Sequence, residues 1–203
     1  MNKSPQVSLR SLMRSKQYVR VLDACKAMLE NDPEDVSSYV AMMDAHFKMR
    51  TKDNWENERS ESVRCAKQAI LLGHDTGYSH RRMLLNLREL EWYNQALRLC
   101  DIVLRPDFEF ANKAVVTKDY FVKARKQIQK QITKGHAKDT DRDAERLFSG
   151  NEIESVMRIT RERKEREIRA NKLFVRACKA WDEERYAKSN ILMKQYHQIR
   201  QTL

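Results

Sequence analysis

Acidic side chains at alternate positions are the first residues in this chain whose spacing could do chemistry. Carboxylates at such intervals are the ligands that Ca²⁺ takes in helix–loop–helix sites, but the central glycine and the closing glutamate of that loop are missing here. Acids also suit the first turn of a helix, where the helix dipole favours negative charge. We therefore predict a helix over 140–148 and no calcium site. The acids concerned are Asp139, Asp141, Asp143 and Glu145.

Histidine and cysteine, the other common metal ligands, show no ligand spacing. The sequence has no HExxH or CxxC pattern, so we predict no metal site. The cysteines are far apart and fall on apolar helical stripes, which predicts reduced thiols in the core. The residues considered are His46, His74, His80, His136, His197, Cys25, Cys65, Cys100 and Cys178.

Glycine-dependent catalytic loops are absent from the sequence. Only four glycines occur, and they form neither a phosphate-binding loop nor the GxSxG turn that presents a nucleophilic serine. Nucleotide-driven catalysis and acid–base catalysis therefore have no support in the sequence. We expect a non-enzymatic protein without a cofactor.

Basic residues are the strongest polar feature. The net charge is +11, and residues 110–203 hold 23 Lys or Arg against 13 Asp or Glu. Such a balance favours acidic partners, whether nucleic acid, an acidic protein segment or an anionic membrane face. The alternative for the charged helix of residues 158–172 is a solvated surface whose Arg and Glu pair four residues apart. The candidate anion or nucleic-acid contacts are Lys123, Arg125, Lys126, Lys130, Arg161, Arg163, Lys164, Arg166 and Arg169.

Helices must position all of these residues, because glycine and proline are rare and good helix formers are abundant. Asp32-Pro33-Glu34-Asp35 predicts the end of one helix and the start of the next. The turn Gly73–Gly77 predicts another boundary, with Gly as a left-handed cap and Asp75 or Thr76 capping the next helix. The predicted helices cover 7–14, 16–31, 34–50, 56–72, 77–90, 91–105, 110–134, 140–148 and 151–200, the last broken near 182–184.

Two helical segments share a pattern. Residues 16–33 and 92–104 each hold a Tyr within their first three positions, place apolar residues three and four apart, and hold a Cys seven residues after the Tyr. Such a stripe needs a neighbouring helix to cover it, which favours a stacked helical array. The segments resemble the second helix of a tetratricopeptide repeat, with Tyr18 and Tyr93 in the aromatic position and Ala96 as the small residue of the second copy.

The resemblance implies an all-α fold, a tetratricopeptide-like array of helical hairpins (an α-solenoid) with a basic C-terminal helical extension. Residues 1–109 would be the repeats, 110–150 a basic amphipathic helix and connector, and 151–203 a charged helix with a C-terminal hairpin. A looser fourth copy begins near Phe174. The alternative is an irregular all-helical domain whose amphipathic helices mimic the pattern.

In such arrays the first helix of each hairpin lines a concave surface, so the resemblance implies a groove for an acidic or amphipathic protein segment. The family's carboxylate-clamp pattern is absent. We call the implied set the first-helix face: Arg10, Arg14, Val40, Asp44, Phe47, Lys48, Tyr78, Arg81, Leu85 and Arg88.

The function expected from the resemblance is that of a protein-binding adaptor or dedicated chaperone. The alternative from a different class is a nucleic-acid-binding regulator that uses the basic helices of residues 111–179. A third reading is a self-assembling subunit with the groove in a homo-oligomer interface. The chain has no apolar run of about 20 residues that could span a bilayer and no secretory signal, so we expect a cytoplasmic protein.

Overall fold

The computed structural model describes residues 8–74, 76–110, 116–182 and 186–201, and within these ranges the chain forms ten α-helices and no strand. The predicted all-α class is therefore confirmed. The helices are α1 (Leu9–Arg14), α2 (Tyr18–Asn31), α3 (Val36–Met49), α4 (Trp55–Leu71), α5 (Tyr78–Glu89), α6 (Tyr93–Val103), α7 (Lys118–Thr133), α8 (Asp141–Leu147), α9 (Gly150–Asp182) and α10 (Tyr186–Gln201).

One predicted boundary is wrong. The helix predicted from residue 110 begins at Lys118, after the extended N-cap residue Thr117. Residues 111–115 lie outside the described ranges. The β-branched pair Val116-Thr117 explains why the helix does not begin before Lys118, since such side chains lose rotamer freedom in a helix and favour extended backbone. The predicted break near 182–184 falls largely on residues outside the described ranges. A break there is supported because α10 returns along α9, with the Phe174 and Tyr196 ring centroids 5.4 Å apart.

Local capping sets several helix starts. The Asp35 carboxylate accepts hydrogen bonds from the backbone N–H groups of Ser37 and Ser38, each at 3.1 Å, and so begins α3 after Pro33. Thr140 and Asp143 form a reciprocal capping box at α8, which confirms a helix there. At α5 the N-cap is Gly77, with a left-handed φ of 79° and no side-chain cap bond, so the prediction of a Thr76 cap is wrong. Asp75 lies outside the described residues.

Helices pack on their neighbours in the sequence. Each helix from α1 to α5 contacts the next one, and α6 contacts both α7 and α8. The chain divides into two compact units, Met1–Val156 and Met157–Leu203, and the boundary falls within α9. The three segments predicted from the sequence, 1–109, 110–150 and 151–203, remain a prediction.

A buried hydrogen-bond chain ties three helices of the first unit together. Asn86 of α5 donates to the Ser62 hydroxyl of α4 at 2.8 Å, and Ser62 donates to the carbonyl of Met43 in α3, also at 2.8 Å. Buried polar groups cost free energy unless they are paired. These two hydrogen bonds therefore fix the position of α3 relative to α5. The two helices carry most of the first-helix face.

The cysteine prediction holds for three residues and fails for one. Cys25, Cys65 and Cys100 are buried, whereas Cys178 is exposed. Within the second unit, the helix pair is closed by small residues, because Ser189 of α10 donates to the carbonyl of Ala177 at 2.9 Å. The Cys178 side chain lies beside that contact and not inside it. Across the residues that the structure describes, no helix has both the length and the apolar character needed to cross a membrane.

Candidate protein-binding surface

The middle of the first-helix face is a hydrogen-bonded cluster between α3 and α5. Tyr78 donates to the Asp44 carboxylate with an O···O distance of 2.8 Å, and Arg82 donates to the Tyr78 oxygen at 2.8 Å. Arg82 also lies 3.3 Å from an Asp44 oxygen. Burial raises the pKa of Tyr78, with the negative charge of Asp44 adding to that effect. Tyr78 is therefore a neutral donor at physiological pH.

Phe47 lies between two guanidinium groups. The Arg82 carbon Cζ is 3.8 Å from the ring centroid and the Arg59 Cζ is 3.9 Å from it, so both cations contact the π system. Arg59 has no exposed side-chain surface, forms an ion pair with Glu89, and donates to the Phe47 carbonyl at 3.0 Å. Burial lowers the pKa of Arg59, and the Glu89 carboxylate opposes that shift.

A cleft of about 400 Å³ opens where α5, α6 and α7 meet. Leu85 and Arg88 of the first-helix face line it together with Tyr93, Gln127 and Ile128. Arg88 donates to the Gln127 side chain at 3.3 Å. Glu89 and Gln131 complete the lining, which thus combines aliphatic side chains with amide, guanidinium, phenol and carboxylate groups. Such a combination can hold the side chains of a bound peptide and pair its polar groups.

The remaining residues of the first-helix face are accessible but do not join one network. The Arg81 guanidinium lies 5.7 Å from the centroid of the Tyr120 ring on α7. Arg10 and Arg14 are exposed on α1, Lys48 is exposed and Val40 is half-buried. The structure thus brings Asp44, Phe47 and Tyr78 together at one place and Leu85 with Arg88 at another.

Two arginines of this surface were not among the sequence-predicted residues. Arg82 follows Tyr78 by four positions, and side chains at that spacing meet on a helix, so its place could have been found. No pattern in the sequence indicated Arg59. It lies on α4 in a charged stretch typical of a solvated helix, and its partner Glu89 is 30 residues away.

The candidate anion-contact residues divide by helix. On α7, Lys123, Lys126 and Lys130 are exposed, and their spacing puts them near one face. Arg125 lies 2.6 Å from an Asp101 oxygen. Its charge is therefore partly neutralised within the fold.

On α9, Arg161, Lys164 and Arg169 are exposed. Arg163 is 5 % exposed and its Nε lies 3.9 Å from Glu167, which bears out that predicted pair. Arg166 donates to the carbonyl of Glu162 at 3.3 Å. A nucleic acid would therefore reach the first three side chains, and Arg163 would not be available to it.

Histidines and cysteines of the described residues form no cluster of three or more metal-ligating groups. His46 Nδ1 is 2.8 Å from Glu58, and His74 Nδ1 is 2.7 Å from the Ser79 hydroxyl. Burial lowers the pKa of His74. Burial also raises the pKa of the Cys25 thiol to about 11, which makes it a poor nucleophile.

Comparison with protein families, with curated proteins and with solved structures found no match to this chain.

Proposed function

We propose that this chain is a non-enzymatic adaptor or dedicated chaperone that binds a partner polypeptide through the first-helix face. The observation that supports the proposal is the cleft at α5–α7, where Leu85 and Arg88 meet side chains of α6 and α7. The aliphatic side chains of Leu85 and Ile128 beside polar groups of both charges suit the mixed side chains of a peptide. On this proposal the helices are a tetratricopeptide-like array.

The partner segment would carry acidic residues. Arg81 and Arg88 form no ion pair with a carboxylate of the described residues. Arg88 lines the cleft with Glu89, whose carboxylate pairs with Arg50 and Arg59 instead. Arginine forms two-pronged hydrogen bonds with a carboxylate. A segment with apolar residues for the cleft floor and a carboxylate near Arg88 fits the lining.

The experiment is affinity capture of the intact protein from its native lysate, with nuclease, followed by mass spectrometry. Wild type is compared with Arg81→Glu/Arg88→Glu and with Arg20→Glu/Lys26→Glu. The control pair makes the same charge change on exposed positions of α2. We expect a stoichiometric partner that the control retains and the first pair loses, with unchanged circular dichroism. Capture retained by the Arg81→Glu/Arg88→Glu variant contradicts the proposal.

The second candidate function is nucleic-acid binding, favoured by the exposed row Lys123, Lys126 and Lys130 on α7. Lysines on one helix face can follow a phosphate backbone, and the affinity then falls steeply with salt because counterions are released. Recovery of mainly RNA or DNA without nuclease, lost at high salt, would support this function. Replacing the three lysines by glutamine would then abolish the recovery.

A further inference from the structure

The second unit exposes more apolar surface than its own fold requires. Of the nine large hydrophobic residues exposed in the described chain, six fall between positions 168 and 191. Scattered exposed apolar side chains are ordinary, whereas a concentration of them marks an interaction site. These residues are Ile168, Phe174, Val175, Trp181, Tyr186 and Ile191, and we call them the hairpin face.

Small side chains make the contact between α9 and α10 in this unit. Ala177 and Ser189 are buried and hydrogen-bonded to each other. Aromatic rings flank them, with Phe174 and Tyr196 centroids 5.4 Å apart and Trp181 and Tyr186 centroids 4.8 Å apart. Small residues and these two ring contacts thus join the helices, while the rings of Phe174, Trp181 and Tyr186 stay partly exposed.

The hairpin face contains two clefts that could accommodate side chains of a partner. A cleft of about 340 Å³ is lined by Phe174, Cys178, Trp181 and Met193. A second cleft of about 580 Å³ lies on α9 and is lined in part by Ile168 and Val175. Ile168 and Val175 are seven residues apart, as are Phe174 and Trp181, so each pair lies along one side of the helix.

Basic residues dominate the surroundings of these clefts. Residues 168–181 and 186–201 contain no Asp or Glu, and Asp182, at the end of α9, is the acid on the rim of the smaller cleft. All the basic residues of the two segments are exposed. A partner that approaches the hairpin face therefore meets positive charge on nearly every side. The seven basic residues are Arg169, Lys172, Arg176, Lys179, Lys188, Lys194 and Arg200.

We infer that the hairpin face binds an acidic amphipathic helix of another protein. A second copy of this face would bring the same cations and be repelled. Nucleic acid would pair with the cations but would leave the aliphatic side chains of Ile168, Val175 and Ile191 without apolar contacts. Lipid would leave Asn171 and Asn190, which line the clefts, facing hydrocarbon without partners. A helix with apolar residues three and four apart and carboxylates beside them can fill the apolar clefts and also pair with the basic residues around them.

The hairpin face shares no residue with the first-helix face, so this inference and the proposed function can fail separately. The test uses the full chain and a labelled synthetic peptide of about 18 residues, five helical turns, with Leu at helical a/d spacing and Glu elsewhere. Fluorescence anisotropy measures its affinity. The comparison ligands are the same peptide with Lys in place of Glu, phosphatidylserine vesicles and a single-stranded oligonucleotide.

Four variants are compared with wild type. Val175→Glu places a charge in the larger cleft at a 65 % exposed position, and Val19→Glu makes the same change at a 60 % exposed position in α2. We expect Val175→Glu to weaken binding of the acidic peptide about ten-fold and Val19→Glu to leave it unchanged. Lys172→Glu/Arg176→Glu should lose the acidic peptide and gain the lysine peptide. The Arg81→Glu/Arg88→Glu protein should bind as wild type does.

Three results would overturn the inference. One is equal affinity of wild type and Val175→Glu for the acidic peptide when circular dichroism shows both to be folded. Another is tighter binding of the lysine peptide than of the acidic peptide by wild type. The third is binding of vesicles or oligonucleotide without any binding of the acidic peptide, which would assign the hairpin face to lipid or to nucleic acid.

Discussion

Lowering the pH should reduce the free energy of unfolding, and we attribute about 2 kcal/mol of this effect to one core residue, His80. The His80 side chain is 1 % exposed, and neither ring nitrogen has a hydrogen-bond partner in the described part of the chain. The rings of Phe108 and Phe110 meet it edge-on, each with a centroid distance of 5.4 Å. Such surroundings accept a neutral imidazole and disfavour a charged one.

Burial lowers the pKa of His80 from 6.5 to about 3, and the neighbouring His74 adds to the shift. In the unfolded chain His80 binds a proton as the pH falls below about 6.5, whereas in the folded protein it stays neutral until about pH 3. The neutral ring contributes its full stability above about pH 6.5, and this contribution is lost as the pH falls from 6.5 toward 3. Between pH 7.5 and pH 5.0 the loss amounts to about 2 kcal/mol in the free energy of unfolding.

Urea unfolding at several pH values between 7.5 and 5.0 measures this loss. His80→Leu keeps an apolar side chain at the position and removes the titrating group, so its free energy of unfolding should depend less on pH by about 2 kcal/mol over that range. His136→Gln is the matched control, because His136 is exposed. Burial also lowers the pKa of His74, but His74 is present in all three proteins and its own contribution largely cancels.

The test compares how the free energy of unfolding changes with pH in wild type and in His80→Leu, so the absolute stability of the variant does not affect it. A wild-type curve parallel to that of His80→Leu would refute the reasoning, since it would mean that His80 binds its proton equally well in the folded and unfolded chain. A reduced slope in His136→Gln as large as that in His80→Leu would refute it too.

Two further predictions concern local packing. Asp139→Ala removes a carboxylate that accepts from the backbone N–H groups of Asn94 and Gln95, at 3.0 and 2.8 Å, and should lower the free energy of unfolding in urea by about 1–2 kcal/mol; an effect no larger than that of Glu145→Ala at an exposed position would contradict it. A thiol reagent such as dithionitrobenzoate should label Cys178 in the folded protein and all four cysteines in denaturant, because Cys178 is exposed and the other three are buried. Labelling of two or more thiols before unfolding would show the burial to be wrong.

Helix positions could be predicted from the sequence where the cause is local. Pro33 and Asp35 act within a few residues of the helix ends that they set, and so do Thr140 and Asp143. The N-terminus of α6 is different. Its cap is Asp139, 45 residues beyond Asn94, and a cap supplied from so far away leaves no mark in the sequence around α6. The spacing that led us to consider Asp139 for calcium reflects in part this distant role.

The candidate surface was predictable to a similar extent. The tetratricopeptide resemblance implied that Asp44, Phe47 and Tyr78 share one face, and they lie together. Arg59 was missed because a charged residue is rarely buried unless it is paired, and the pairing with Glu89 depends on how α4 packs against α5. No pattern within α4 distinguishes this arginine from its exposed neighbours.

Cys178 shows how a repeated pattern can mislead. It sits among apolar residues on a helix, as Cys25 and Cys100 do, yet it is exposed. The spacing identifies an apolar stripe but does not say whether a neighbour covers it. In the second unit Ala177 and Ala180 are buried, so the stripe is wider than the contact that α10 provides. The uncovered part of the stripe contributes the α9 residues of the hairpin face, namely Ile168, Phe174, Val175 and Trp181.

The two proposed surfaces differ in how their cations are used within the fold. Among the arginines of α4 and α5 around the first-helix face, Arg82 is already close to Asp44 and Arg59 to Glu89, which leaves Arg81 and Arg88 for a carboxylate of a partner. Seven exposed basic residues accompany the hairpin face. Because salt screens exposed charges over about 8–10 Å, and because the effect grows with the number of charges that pair, ionic strength should weaken binding at the hairpin face more than at the first-helix face. An acidic partner would accordingly reach the second unit by electrostatic attraction, whereas binding at the cleft depends more on the fit of its apolar side chains.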